Sequence, residues 1–251
     1  MIKAITFDFW DTLVKDDSDE PKRAALGLGS KAETRLQLLA GEVRQYHPQI
    51  GLEQIRAAFE HANERFRHHW KIEHFTPTVA TRLQEAYVFL KIDLTPGFDE
   101  VVREIEEMEV KIPPDFAPGI HATLATLAQD YRPGLISDAI HTPGRGLRQI
   151  LENEGLWPYF RHAVFSDEAG ASKPAPLVFE QAAAGLGVSL DQIVHVGDRE
   201  SNDIAGPLAA GMAAILYTGV IDRGSENTQA TAICRDYAEL PALIKHISGS
   251  S

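Results

Sequence analysis

The chain has 251 residues, 44% of them hydrophobic, with 24 Lys and Arg against 36 Asp and Glu for a formal charge of −12. That length and composition exclude a disordered chain or a small stapled scaffold, and the acidity without a basic cluster argues against a nucleic-acid partner. One cysteine, Cys234, excludes an internal disulfide, and no apolar stretch approaches the roughly 20 residues that span a bilayer.

The N-terminus runs straight into a short apolar segment, Ile2, Ala4, Ile5 and Phe7, with no charged leader, so a cytoplasmic location is expected. The segment suits a strand buried on both faces, and the carboxylate of Asp8 stands where it ends. Asp8 is either a turn former or a nucleophile at the carboxyl end of a parallel sheet, where ligands bind. Lys15 to Pro21 is charged and proline-ended, and reads as a solvated linker.

From there to about Pro113 the periodicity is helical. Lys31 to His47 has Leu36, Leu39 and Val43 on one stripe; Leu52 to Phe75 has Ile55, Phe59, Ala62 and Phe66; Thr78 to Leu90 and Phe98 to Val110 follow. Residues 15–114 are thus expected to form an α-helical insertion large enough to be a small domain. Within it His61, His68, His69 and His74 do not share a helix face, which favours solvated histidines over a metal site. Arg65, Arg67, Lys71 and Arg82 either serve an anionic substrate or form an ordinary charged helix surface.

After Pro113-Pro114 strands and helices alternate. Ile120 to Ala128 is a helix, Arg132 to Ser137 a strand, and about Pro143 to Glu154 a helix. Ala163 to Ser166 is a strand, Pro174 to Leu186 a helix opened by Pro174, and Ile193 to Asp198 a strand ending in acid. Then come a helix over Asn202 to Ala210 with Gly211 as its cap, a strand over Ala213 to Tyr217, an edge strand near Ala230 to Cys234, and a last helix near Glu239 to His246. Ser248 to Ser251 are expected to fray. Such alternation requires a parallel sheet covered on both faces, so the fold expected is α/β. A Rossmann-like core is built from residues 1–14 and 115–251, with the helical insertion as a cap over the sheet's crevice.

Asp8, Ser137, Lys173 in a Ser-Lys-Pro turn, Asp198 and Asp203 all fall at or just beyond the carboxyl ends of strands. The set suits phosphoryl transfer to a carboxylate. Asp8 would attack phosphorus, and Asp8 and Asp198, as hard oxygen ligands, would select Mg²⁺. Asp203 would hold a metal-bound water or Lys173, and Ser137 and the N–H groups after it would bind phosphate oxygens beside the Lys173 charge.

The ordered residues Asp8-Phe9-Trp10-Asp11-Thr12, Ser137, Lys173-Pro174 and Gly197-Asp198-Arg199-Glu200-Ser201-Asn202-Asp203 resemble the haloacid dehalogenase superfamily of hydrolases, in its subfamily I-like form with a C1-type helical cap. The likeness covers the core and continues from Asp203 to Met212; the insertion is similar only in position and helicity. The resemblance implies an Asp8 nucleophile and a small phosphate-ester substrate, with Ser137, Asp138 and Lys173 on the phosphate. It also implies Mg²⁺ held by Asp8, the backbone carbonyl of Trp10, Asp198 and Asp203, and a cap that closes on substrate. One position departs from the pattern. Phosphatases of the superfamily usually carry a second Asp two residues after the nucleophile as general acid and base. Here it is Trp10, whose indole has no usable proton, and Asp11 is not equivalent because neighbouring residues in extended chain point to opposite sides.

Three readings follow. A phosphatase without that help would be slower by roughly 10² to 10⁴ unless its leaving group is good, as in an acyl or aryl phosphate, or the cap supplies an acid. A 2-haloacid dehalogenase, which in this superfamily has an aromatic Tyr at this position, needs no acid because halide leaves unprotonated. A weakly catalytic Mg²⁺-binding or regulatory protein needs none either. Gly197-Asp198 matches the phosphatase form of the fourth motif, and a further acid is best placed beside a cation, so the phosphatase is the leading expectation.

Overall fold

The computed structural model describes residues 1–249, which fold as two compact units: residues 1–16, 114–138 and 151–251 in one, and 17–113 with 139–150 in the other. The sequence reading ends the insertion at residue 114; the short segment 139–150, which it leaves in the core, groups with the helical unit instead. No described helix is long and apolar enough to cross a membrane.

In the first unit the described residues form six strands: β1 Ala4–Phe7, β2 Arg132–Ser137, β3 His162–Phe165, β4 Ile193–Gly197, β5 Ala213–Tyr217 and β6 Ala232–Cys234. They make one all-parallel sheet in the order β3-β2-β1-β4-β5-β6. β1 is therefore central, with Ala4 level with Arg132 on one side and Ile193 on the other. All four of its residues are buried, because both faces of a parallel sheet are covered and only a continuous apolar run survives there. The order of strands reverses at β1, which puts the ends of β1, β2 and β4 at the topological switch point.

Boundaries shift for local reasons. Helix Pro176–Leu186 begins with Pro176 in its first turn and Ala175 as N-cap, so Pro174 precedes the helix. The segment after β4 opens with π-type hydrogen bonding over Glu200–Ala205 before becoming α-helical at Gly206–Ala209. The last helix, Leu240–Gly249, extends into the stretch expected to fray, and the Ser248 hydroxyl accepts the N–H of Ile2 at 3.1 Å; residues 250 and 251 lie outside the described residues.

The helical unit contains α1 Glu20–Ala25, α2 Lys31–Tyr46, α3 Leu52–Lys71, α4 Val79–Leu90, α5 Phe98–Glu106 and α6 Met108–Lys111. The expected linker thus ends in α1, which has Pro21 in its first turn, where the missing N–H costs nothing. Ser30 and Thr78 cap α2 and α4 by accepting the N–H groups of Glu33 and Thr81. The stripes on α2 and α3 face inward: Leu39, Val43, Ile55, Ala58 and Ala62 meet Leu83, Tyr87, Val101 and Ile105 in one apolar cluster. Each large side chain buried there contributes about 1.5–3 kcal/mol. His68 and His69 both contact the exposed-side acid Glu73, at 3.2 and 2.7 Å.

Candidate active site

β1 carries its chain into the centre of the sheet, and the next residue, Asp8, is fixed by its own N–H, which donates to the Val196 carbonyl on β4 at 2.9 Å. The Lys173 ammonium lies 2.6 Å from Asp8 Oδ1 and 2.5 Å from Asp203 Oδ1. Carboxylate oxygens of Asp8, Asp198 and Asp203 all lie within 4.8 Å of one another, and each of these residues is buried. Gly197 permits that approach: a Cβ at this position would come within 2.4 Å of the Asp203 side chain.

Burial raises the Asp8 carboxyl well above its ordinary value; Lys173 works against this, while Asp203 and Asp198 add to it. Asp198 is pushed up to about 6, by burial first and then by Asp203, with Arg223 opposing. Asp203 goes the other way, because Lys173 and His195 outweigh the cost of burying it. The lysine stays charged among these acids despite its own burial. Three buried carboxylates against the Lys173 ammonium and a guanidinium, Arg223, that Asp198 shares with Asp11 leave excess negative charge, which low-dielectric surroundings penalise unless a further cation is present. Asp198 Oδ1 is buried with no hydrogen-bond partner, as expected of an oxygen reserved for such a cation. All the donors are hard oxygens, so the residues fit Mg²⁺.

The other expected residues divide. Asp138 accepts the Lys173 N–H at 3.1 Å and an Asn202 amide N–H at 3.3 Å, so its carboxylate braces the Lys173 turn. Ser137 is buried at the end of β2, its hydroxyl 3.5 Å from the Asp138 carbonyl. The Trp10 ring packs edge-on against Phe9 with centroids 4.9 Å apart. Asp11 has a left-handed backbone, φ +50°, and both its oxygens are taken: one accepts the Asp16 N–H at 3.0 Å, the other an Arg223 N–H at 2.6 Å. Both Asp11 oxygens are therefore engaged by the chain's own donors.

Two participants escape the motif reading. Arg223 joins Asp11 to Asp198, donating to the latter at 2.6 Å. His195, in the middle of β4, lies 2.9 Å from the Thr6 hydroxyl and 3.2 Å from Asp203, and burial lowers its pKa. A histidine within an otherwise apolar strand was the available signal, since a buried polar side chain needs partners.

Solved structures similar along the whole chain include a 2-haloacid dehalogenase from Pseudomonas syringae pv. Tomato DC3000, with TM-score 0.70 and 24% identity over 98% of this chain and 99% of that one. A HAD phosphatase from Thermococcus onnurineus has TM-score 0.64 and 23% identity over 97% and 98%. At these identities the likeness establishes the fold. The glyceraldehyde 3-phosphate phosphatase of Methanothermobacter thermautotrophicus is 33% identical over 127 residues, 50% of this chain and 51% of that protein. That of Pyrococcus furiosus is 34% identical over 101 residues, 40% and 41%. The chain thus spans about half or less of the length of these curated relatives. The family model for haloacid dehalogenase-like hydrolases matches residues 2–211, and with the parallel sheet and the buried acid cluster in place, this chain belongs to that family of hydrolases.

Proposed function

We propose that the protein is a Mg²⁺-dependent phosphatase acting on a small phosphate ester, with Asp8 as nucleophile. The observation that carries this reading is the convergence of Asp8, Asp198 and Asp203 around Lys173, an arrangement that disfavours anions until a divalent cation is added. Asp8, Asp198, Asp203 and the Trp10 carbonyl would hold Mg²⁺, which when bound offsets the negative charge that nucleophile and phosphate bring together. Lys173 opposes the protonation of Asp8 that burial favours, orients its carboxyl, and steadies the charge on the phosphoryl oxygens. Ser137 and the backbone N–H groups following it, including that of Asp138, bind those oxygens. Asp8 Oδ attacks phosphorus in line, the P–O bond to the alcohol breaks, and water later opens the aspartyl phosphate to regenerate Asp8 and release phosphate. The helical unit serves as the cap.

Support for a phosphate ester also comes from several of the curated relatives, which are named as glyceraldehyde 3-phosphate or phosphoserine phosphatases. With Trp10 at the acid position and Asp11 engaged by Arg223, esters with good leaving groups should be turned over best. The same departure favours a second reading, a dehalogenase, since halide needs no proton. Hydrolysis of an aryl phosphate that requires Mg²⁺ and stops with EDTA supports the phosphatase. Halide release from 2-chloropropionate, indifferent to EDTA, overturns it in favour of the dehalogenase, and Mg²⁺ binding without turnover of either substrate favours a regulatory protein.

A further inference from the structure

β4 is apolar except at its centre, where His195 stands between Val194 and Val196 with no solvent exposure. The parallel register sets it level with Thr6 on β1, itself fully buried, so the two side chains leave the sheet on the same side. The Thr6 hydroxyl is 2.9 Å from His195 Nδ1, and His195 Nε2 is 3.2 Å from Asp203 Oδ1. The Phe179 ring, on helix Pro176–Leu186, meets the imidazole edge-on with centroids 6.0 Å apart, which helps to fix the plane of the ring. Apolar side chains would be easier to bury at both positions, since a polar group left there without a partner costs roughly 1–3 kcal/mol.

In the neutral ring, the form that burial favours, one nitrogen donates and the other accepts. Asp203, held ionised by Lys173, offers only acceptors, so the ring proton sits on Nε2. Nδ1 then accepts, and the Thr6 hydroxyl must donate to it. Asp203 is thereby gripped by three donors. Its Oδ1 accepts from His195 and Lys173, and its Oδ2 accepts the Arg199 N–H at 3.0 Å. Lys173 in turn reaches Asp8 Oδ1 at 2.6 Å. The contacts run without a break from Thr6 through His195, Asp203 and Lys173 to Asp8, and so return to the chain two residues from where they began.

We propose that Thr6 and His195 are a positioning pair for the nucleophile: the Thr6 hydroxyl fixes the imidazole tautomer, His195 Nε2–H fixes the Asp203 carboxylate, and Asp203 fixes the Lys173 ammonium at Asp8. Neither residue of the pair touches the reacting atoms. The proposal deepens the phosphatase reading and rests on it.

The test compares full-length His195→Leu, His195→Gln, Thr6→Val and Thr6→Ser with wild type, in Mg²⁺-dependent hydrolysis of an aryl phosphate and in Mg²⁺ titrations by calorimetry without substrate. His195→Leu should lower kcat roughly 10- to 100-fold with KM within about twofold, and should weaken Mg²⁺ binding about tenfold, as loss of an outer partner of a ligand carboxylate does. His195→Gln, whose amide N–H can still reach Asp203, should recover part of each loss. Thr6→Val should lower kcat by about threefold to tenfold and add nothing in the His195→Leu background, because it acts through the imidazole; Thr6→Ser should match wild type. In parallel, ¹⁵N NMR of the wild-type ring should show its proton on Nε2, a readout that stands if a variant fails to fold. A folded His195→Leu with unchanged kcat and Mg²⁺ affinity, additive losses in the double variant, or a ring proton on Nδ1 overturns the proposal. If wild type binds Mg²⁺ without turning over the ester, the phosphatase reading fails and the Mg²⁺ affinities decide the pair. If it does neither, the reading fails and the pair's role falls with it.

Discussion

Two cations in this protein, one buried and one half-buried, have opposite surroundings. Lys173 sits among carboxylates, 2.6 Å from Asp8 and 2.5 Å from Asp203, while Arg82 is acted on by Arg35 and Arg67. Lys173 is buried and faced by carboxylates, whereas Arg82 keeps some exposure and rests on the Asn63 amide oxygen and the Phe66 ring. A buried charge therefore says little by itself; the sign of what surrounds it sets what it does to stability and to the groups beside it.

The largest effect that would break this contrast is on chemistry. Asp8→Asn keeps the shape and removes the nucleophile, and is expected to lower aryl phosphate hydrolysis by about 10⁴-fold or more in steady-state assays. A variant retaining more than a few per cent of activity would displace Asp8 from its role. Next in size comes stability. Lys173→Met leaves buried carboxylates without their internal cation, and should destabilise the protein by about 3–5 kcal/mol in urea titrations, while Arg82→Met should change stability by less than about 1 kcal/mol. Equal losses would mean that the two cations are compensated alike.

A smaller, pH-dependent effect sharpens the acid side. Asp198, pushed up from 3.8 to about 6, binds its proton more tightly folded than unfolded, so its contribution to stability is present below the unfolded value and is lost as pH rises through about 6. Asp203, held low by Lys173, has the opposite sign and contributes above its unfolded value. Because Mg²⁺ must displace the Asp198 proton, the rise in Tm caused by Mg²⁺ should be small near about pH 4.5 and grow toward about pH 6.5, measured by calorimetry. A rise independent of pH would remove Asp198 from the metal site. The smallest effect expected is that of Arg223→Ala. This half-exposed guanidinium holds an oxygen of Asp198, and its loss should tighten Mg²⁺ binding by only about 0.5–1 kcal/mol.

Much of this contrast was legible on its acid side and little on its basic side. Asp8, Ser137, Lys173, Asp198 and Asp203 could be read because parallel register delivers strand ends to one rim, whatever the side-chain details. Arg82 looked like surface charge, since its contacts with Asn63 and the Phe66 ring depend on how α3 and α4 pack, and helical periodicity gives the buried face without giving the partner. Asp19, buried against Lys31, was hidden in a run that reads as solvated linker. Arg223 lies in a loop with no periodic pattern, so its clamp on Asp11 and Asp198 had no signal before the fold was known.

The central position of β1 has a consequence for how the molecule comes into being. Its four residues find their neighbours only at Arg132–Leu135 and Ile193–Val196, more than a hundred residues downstream. During synthesis the strand that leads into Asp8 must wait unpaired while most of the helical unit, residues 17–113, emerges and can already collapse on its own apolar cluster. β1 is thus among the last elements to reach its native setting, and hydrolytic competence should arrive late in folding, after β4 has docked.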